Sequence, residues 1–278
     1  MEIRDKVVII TGASGGIGQA AALAFGHSGA KVVLVARRSE ILQEIASKMN
    51  NTLVITADLS KEEDCLGMIE QTISRFQRID ILINNAASII VSPSESVSRE
   101  DLLRAFRTNL LGPVTATQAV IPHMLRQGGG HIINIGSPGF MMGIPFYSPY
   151  VCSKAAFSAW TRTIQSEWKG SKIRVSEYFP GYIRTDSKPE SRLGEVEQDF
   201  LMNNNQNFIT RMFAKPKNPD DVARQLVELA INPKILVYTD FSTRIGAFIS
   251  NISSFRLSIA AQMARTARNK KNLQMFNL

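Results

Sequence analysis

Two hydrophobic patterns alternate along this chain. Short runs that are apolar almost throughout fall at residues 6–11, 31–36, 52–57, 80–83, 131–135, 173–179 and 235–238. Such runs, rich in Val and Ile, are the pattern of strands buried on both faces. Between them lie longer stretches whose apolar positions recur at three- and four-residue steps, the pattern of helices with one buried side. These predict helices over about residues 17–27, 40–49, 61–76, 100–126 and 149–168, with another beginning near residue 218. Strand and helix in strict alternation predict an α/β fold: a doubly wound parallel sheet of about seven strands, helices on both faces. No internal repeat, low-complexity segment or linker interrupts residues 1–240, which read as one domain. Residues 241–278 read as a helical extension of it.

The chemistry sits where the strands end. After the first strand comes Thr11-Gly12-Ala13-Ser14-Gly15-Gly16-Ile17-Gly18, leading directly into a helix. Strand, glycine turn, helix is the context of a dinucleotide-binding loop. Glycine lets the backbone approach a pyrophosphate, and the helix N-terminus offers free N–H groups and a positive dipole. The second strand ends at Ala36 and is followed by Arg37 and Arg38 with no acid. An acid there would bond the ribose 2′-hydroxyl of NAD, whereas arginine can grip a 2′-phosphate with paired hydrogen bonds. NADP(H) is therefore expected over NAD(H), with Arg37 as its main reader. Asp58 follows the third strand, Asn84-Asn85-Ala86-Ala87 the fourth and Ser137 the fifth. Asn109 interrupts the predicted 100–126 helix with a poor helix former, and Gly112-Pro113 follow closely, a local conflict of the kind found at functional positions.

Ser148-Pro149-Tyr150-Val151-Cys152-Ser153-Lys154 has the marks of a helix start, with Ser148 as cap and Pro149 in the first turn. Tyr150 and Lys154, four apart, share a helix face. A free tyrosine has a pKa of about 10. A neighbouring ammonium and the helix dipole both favour its ionised form, which suits a general acid/base.

Taken together, Thr11-Gly12-x-x-x-Gly16-x-Gly18, Asp58, Asn84-Asn85-Ala86, Asn109, Ser137, Tyr150-x-x-x-Lys154 and Pro180-Gly181 resemble the short-chain dehydrogenase/reductase family in order and spacing. The match is dense over about residues 4–185 and weaker to about 238. The resemblance implies a Rossmann-like fold and hydride transfer between a nicotinamide and a carbonyl or secondary alcohol. Tyr150 would pass the proton, Ser137 would polarise the substrate oxygen, and Lys154 would lower the tyrosine pKa and hold the nicotinamide ribose. Asn109 would fix a water relaying protons to Lys154. Asp58 would face the adenine and Asn85 support the cofactor pocket, while Ile183 and Thr185 would meet the carboxamide. Ser14 would join Arg37 at the 2′-phosphate. Ala87 replaces a glycine common in the family, and Ser14 stands where some NADP-using members carry a basic residue.

Composition adds bounds. With 44% hydrophobic and 20% charged residues the chain has globular character. No apolar run approaches the roughly 20 residues of a membrane span. The N-terminus shows no signal-like apolar segment, and Cys65 and Cys152 make no disulfide framework, so a cytoplasmic location is expected. The three histidines show no metal spacing, and no metal is expected. The net charge is +8, yet Arg244, Arg256, Arg265, Arg268, Lys270 and Lys271 all lie after residue 240, with no acid among them. The high pI belongs largely to this tail and is no nucleic-acid footprint of the main domain.

Within the tail, Ile245, Phe248, Ile249, Ile252, Ile259 and Met263 recur at helical steps. A basic amphipathic helix can lie on a membrane surface, and it can equally pack on its own domain or across a dimer. Phe140 and Phe146 after Ser137, and Phe200, Met202, Phe208 and Met212 within a substrate lid expected over residues 182–217, suit a bulky apolar ligand or simply pack the lid down. The reading is an NADP(H)-dependent oxidoreductase acting on a lipid-, steroid- or acyl-like carbonyl or secondary alcohol, in a homodimer or homotetramer. The alternative is a non-catalytic NADP-binding regulator or scaffold of the same fold.

Overall fold

The computed structural model describes residues 2–144, 146–183, 190–191 and 217–250. The strands are β1 Val7–Thr11, β2 Lys31–Ala36, β3 Thr52–Thr56, β4 Ile81–Asn84, β5 Ile90–Val91, β6 Gly130–Ile135, β7 Ile173–Phe179, β8 Glu190–Ser191 and β9 Leu236–Tyr238. The helices are α1 Gly16–His27, α2 Ser39–Ala46, α3 Glu62–Phe76, α4 Arg99–Phe106, α5 Gly112–Arg126, α6 Gly139–Met142, α7 Ser148–Glu167, α8 Pro219–Ile231 and α9 Phe241–Ser250. Seven strands form one sheet in the order β3-β2-β1-β4-β6-β7-β9, every pairing parallel. Strand order reverses between β1 and β4, which opens a crevice beyond their C-terminal ends. That is where the glycine turn and the Asn84-Asn85-Ala86 segment meet.

The continuous apolar runs are explained by burial on both sides: every residue of β1 is buried. One face packs α1, α2 and α8 through Phe25, Leu42, Ile45 and Leu226. The other packs α3, α5 and α7 through Met68, Val120 and Ile164. A polar network runs through this second layer. Asn84 Nδ2 donates to Thr117 Oγ1 at 3.1 Å and to Asn134 Oδ1 at 2.9 Å. Asn134 Nδ2 donates to Thr161 Oγ1 at 3.0 Å. The network joins β4, β6, α5 and α7. At the far end of β6, the buried His131 ring lies 2.7 Å from Ser176 Oγ, and burial pushes its pKa down to about 4.

Two local expectations are corrected, and one element is new. The 100–126 helix is not continuous: α4 and α5 are separated by a π-helical turn, Arg107–Leu111. Ser148 does not cap α7. It is the helix's first residue, Tyr147 holds the cap position without a side-chain hydrogen bond, and Pro149 follows at the second position. The parallel pair β5–β8 was not anticipated, because two-residue strands carry no periodicity. The helix expected near residue 218 is α8, capped by Asn218, whose Oδ1 accepts the Asp220 N–H at 3.0 Å.

Candidate active site

The glycine turn is shaped by close backbone approach. Gly12 has φ +69, and a Cβ there would lie 2.9 Å from Ala86 Cα. A Cβ on Gly18 would lie 2.2 Å from the Gly12 carbonyl oxygen. Asn85 holds the turn from across the crevice, its Nδ2 donating to Thr11 O at 2.9 Å. Thr11 Oγ1 accepts from the Asn85 and Ala86 N–H groups at 2.9 and 3.0 Å. Asn85 and Thr11 thus tie the end of β4 to the glycine turn. Thr11 is the partner that sequence reasoning passed over, since a threonine at a strand end carries no signal of its own. The N-terminus of α1 has no side-chain cap, so its first N–H groups remain available to an anion. Ile17 beside it packs into the core.

At the end of β2 the two arginines differ. Arg38 is held by Ser14: its Nη2 donates to Ser14 O at 2.8 Å and to Ser14 Oγ at 3.1 Å. Arg37 is exposed and lies near enough to Asp58 to help hold that carboxyl below its usual range, as do the Ser60 hydrogen bonds. Asp58 Oδ1 accepts from Ser60 N and Oγ at 3.0 and 2.9 Å.

Asn109 lies in the π-helical turn, fully buried. Its Oδ1 accepts the Ser88 N–H at 2.6 Å, and its Nδ2 donates to Ser88 O and to Ser153 Oγ, both at 2.9 Å. Both Nδ2 hydrogens are therefore spent on protein partners, and Oδ1 keeps one acceptor site. Ser153 Oγ donates in turn to Tyr150 O at 2.9 Å, so Asn109 braces the first turn of α7.

Tyr150 and Ser137 meet where β6 ends, the Ser137 side chain near enough to the Tyr150 hydroxyl to favour its ionised form. Ser137 Oγ accepts the Gly139 N–H at 3.2 Å. Burial holds the Tyr150 hydroxyl above the ordinary tyrosine value, and the nearby Ser137 side chain only partly offsets it. Lys154, one turn deeper on α7 and buried, donates from Nζ to Ile135 O at 2.8 Å, and burial pushes its pKa down to about 8.

Around this centre, Gly181 N donates to Thr239 Oγ1 at 3.2 Å, fixing the Pro180-Gly181 turn. Ile183 forms a bridge with Lys217, which pins together the two ends of the intervening segment. Phe140 packs against Phe179 with ring centroids 6.0 Å apart, joining the core. Phe146 is partly buried at φ +69, its carbonyl accepting the Ser92 N–H at 2.8 Å. Thr185, Phe200, Met202, Phe208 and Met212 lie outside the described residues, as does the tail beyond residue 250. In α9, Thr243 and Ala247 face the domain, while Phe241 and Phe248 are each 73% exposed.

The model of the short chain dehydrogenase family matches residues 6–195. This chain is a member of that family of oxidoreductases. It is 32% identical over 246 residues to dehydrogenase/reductase SDR family member 7B of Danio rerio, covering 84% of this chain and 76% of the relative. It is 38% identical over 202 residues to 11-beta-hydroxysteroid dehydrogenase-like 4A of Arabidopsis thaliana, covering 70% and 67%. Among solved structures, the 3-ketoacyl-(acyl-carrier-protein) reductase of Brucella melitensis, complexed with NADH, superposes with a TM-score of 0.73 at 27% identity, covering 85% of this chain and 97% of the other.

Proposed function

We propose that this short-chain dehydrogenase is an NADP(H)-dependent enzyme that interconverts a carbonyl and a secondary alcohol on an apolar substrate, with Tyr150 as general acid/base. The observation that carries this is that Tyr150 and Ser137 meet at the end of β6, one turn of α7 above the buried Lys154. The uncapped start of α1 and the close-packed glycines fit a dinucleotide pyrophosphate. The nicotinamide, when bound, supplies or accepts the hydride. Ser137 bonds the substrate oxygen and Tyr150 gives it a proton; burial favours the protonated phenol at neutral pH, which suits the reducing direction. Lys154 holds the ribose hydroxyls. Such acid–base assistance is typically worth about 10²- to 10⁴-fold in rate. Asp58, with Ser60 fixing its carboxylate, bounds the adenine side. Arg37, unencumbered beside an Arg38 already bound to Ser14, is the reader of the 2′-phosphate. A steroid- or acyl-sized substrate is favoured by the names that the relatives carry.

NADPH and NADH oxidation over ketones and aldehydes from small to steroid-sized, with Tyr150→Phe as control, tests the reading. NADPH-dependent turnover of the larger carbonyls, lost in the variant, is expected; preference for NADH, or a Tyr150→Phe enzyme of undiminished rate, overturns it.

The exposed Phe241 and Phe248 on α9, which opens the basic tail, support peripheral contact with a membrane. No helix among the described residues is long and apolar enough to cross one. Co-sedimentation with anionic liposomes at low salt, lost on removing residues 241–278, is the expected result.

A further inference from the structure

Glu177 is a buried acid to which the proposed mechanism gives no role. It lies near the C-terminal end of β7, its side chain 2% exposed, on the sheet face covered by α7. Its register partner on β6 is Asn134. A Cβ placed on Gly136 would lie 3.2 Å from Glu177 Oε1, so the carboxylate sits against the backbone between Ile135, which takes the Lys154 ammonium, and Ser137. Lys154, Ser158 and Arg162 stand four residues apart along α7, one stripe facing this acid. Arg162 Nε approaches Glu177 Oε2 at 3.8 Å from the solvent side. The Ser158 hydroxyl faces the carboxylate without closing a hydrogen bond of normal geometry, and Glu177 Oε1 has no hydrogen-bond partner among the described residues. An ionisable group retained in a buried place without hydrogen bonds of its own is costly for the fold unless something else repays it.

Resting on the reading of Lys154 as the residue that holds the ribose, we infer that Glu177 is a positioning residue: its carboxylate is the buried counter-charge that keeps Lys154 an ammonium. The charged groups around the pair are few. Lys154 and Arg162 face Glu177 from α7, and Tyr238 feels it from β9. Tyr150 is the other titratable group of the site beside Lys154. Burial works against charge on both members, drawing Lys154 down to about 8 and Glu177 up to about 7. Each partner opposes that effect on the other. Above the Glu177 value the carboxylate is ionised and defends the ammonium; without it, Lys154 would lose its proton at lower pH.

The test follows the alkaline limb of NADPH binding, read by cofactor fluorescence from pH 6 to 10, and of kcat/KM in the same samples. Glu177→Gln keeps shape and removes charge. It is expected to leave binding at pH 6.5 unchanged and to move the limb about one unit toward acid, the low end of what a neighbouring charge produces. Glu177→Asp should restore most of the wild-type position, and Lys154→Met should abolish the limb. Should Glu177→Gln fail to fold, Glu177→Leu replaces it, since any folded neutral variant answers the question. A neutral variant whose limb stays at the wild-type pH overturns the inference, as does a wild-type protein without a limb. The two failures are distinguishable. Turnover with an unmoved limb removes the role of Glu177 and leaves the reductase reading intact. A limb that moves in a protein reducing no carbonyl removes the reductase reading and leaves the pair.

Discussion

Replacing Asn109 with alanine tests how the π-helical turn is held. The change removes three hydrogen bonds of 2.6–2.9 Å to Ser88 and Ser153. Each is worth about 1 kcal/mol net, and leaving the Ser88 N–H and carbonyl without partners adds a further penalty of about 1–3 kcal/mol per group that stays dry. Ser153 keeps its bond to the Tyr150 carbonyl, which limits the loss on that side. A total of about 4–6 kcal/mol follows if one of the Ser88 groups finds water and the other does not. Asn109→Asp keeps the acceptor toward the Ser88 N–H. It loses both donors and sets a carboxylate against the Ser88 carbonyl oxygen, so it should cost at least as much. Urea unfolding at pH 7.5 measures both. At a temperature where each variant is folded, kcat should fall further than NADPH affinity, because the brace acts on the first turn of α7 rather than on the glycine turn. A loss under about 1 kcal/mol for Asn109→Ala would refute the reasoning, showing that the turn is held by its backbone alone.

Other outcomes follow from the same geometry. Gly18→Ala should weaken NADPH binding more than a hundredfold in fluorescence titrations, about 3 kcal/mol, because its Cβ would meet the Gly12 carbonyl at 2.2 Å. Arg37→Glu should lower NADPH affinity about tenfold or more, in line with losing a charge-assisted bond, and leave NADH affinity nearly unchanged in the same assay. His131 binds its proton more weakly folded, near 4, than unfolded, near 6.5. Its contribution is therefore whole above about pH 6.5 and is lost as pH falls toward 4, reaching about 3 kcal/mol. Urea unfolding at pH 7.5, 6 and 5 should show this slope, and His131→Gln should flatten it.

The sheet, its seven strands and the positions of Gly12, Asn85, Asn109, Ser137, Tyr150 and Lys154 were legible because each rests on a local signal: a run, a turn or a broken propensity. What the sequence could not show lies in relations between distant residues. That Arg38 is bound by Ser14 and Arg37 is not depends on how β1 and β2 end side by side. That Lys154 turns one ammonium N–H to Ile135 O, and that burial holds Tyr150 above its usual pKa, depends on packing, which no spacing encodes. Asn109 was flagged by its poor helix propensity, yet its partners Ser88 and Ser153 became visible only in the folded chain. Glu177 lies in a run otherwise read as strand, where nothing distinguishes an acid aimed at a lysine from one aimed at solvent.

The polar network of Asn84, Thr117, Asn134 and Thr161 has a consequence for how the reacting groups are set in height. Apolar packing between α7 and the sheet would tolerate a slip of the helix along its axis, since one ridge of side chains resembles the next. The bond from Asn134 to Thr161 does not tolerate it. A slip of one turn, about 5.4 Å, would strand both groups in a dry interior and carry Tyr150 away from Ser137. The network thus works as an index pin, set two turns beyond Lys154. It fixes the level of the acid above the sheet from inside the core.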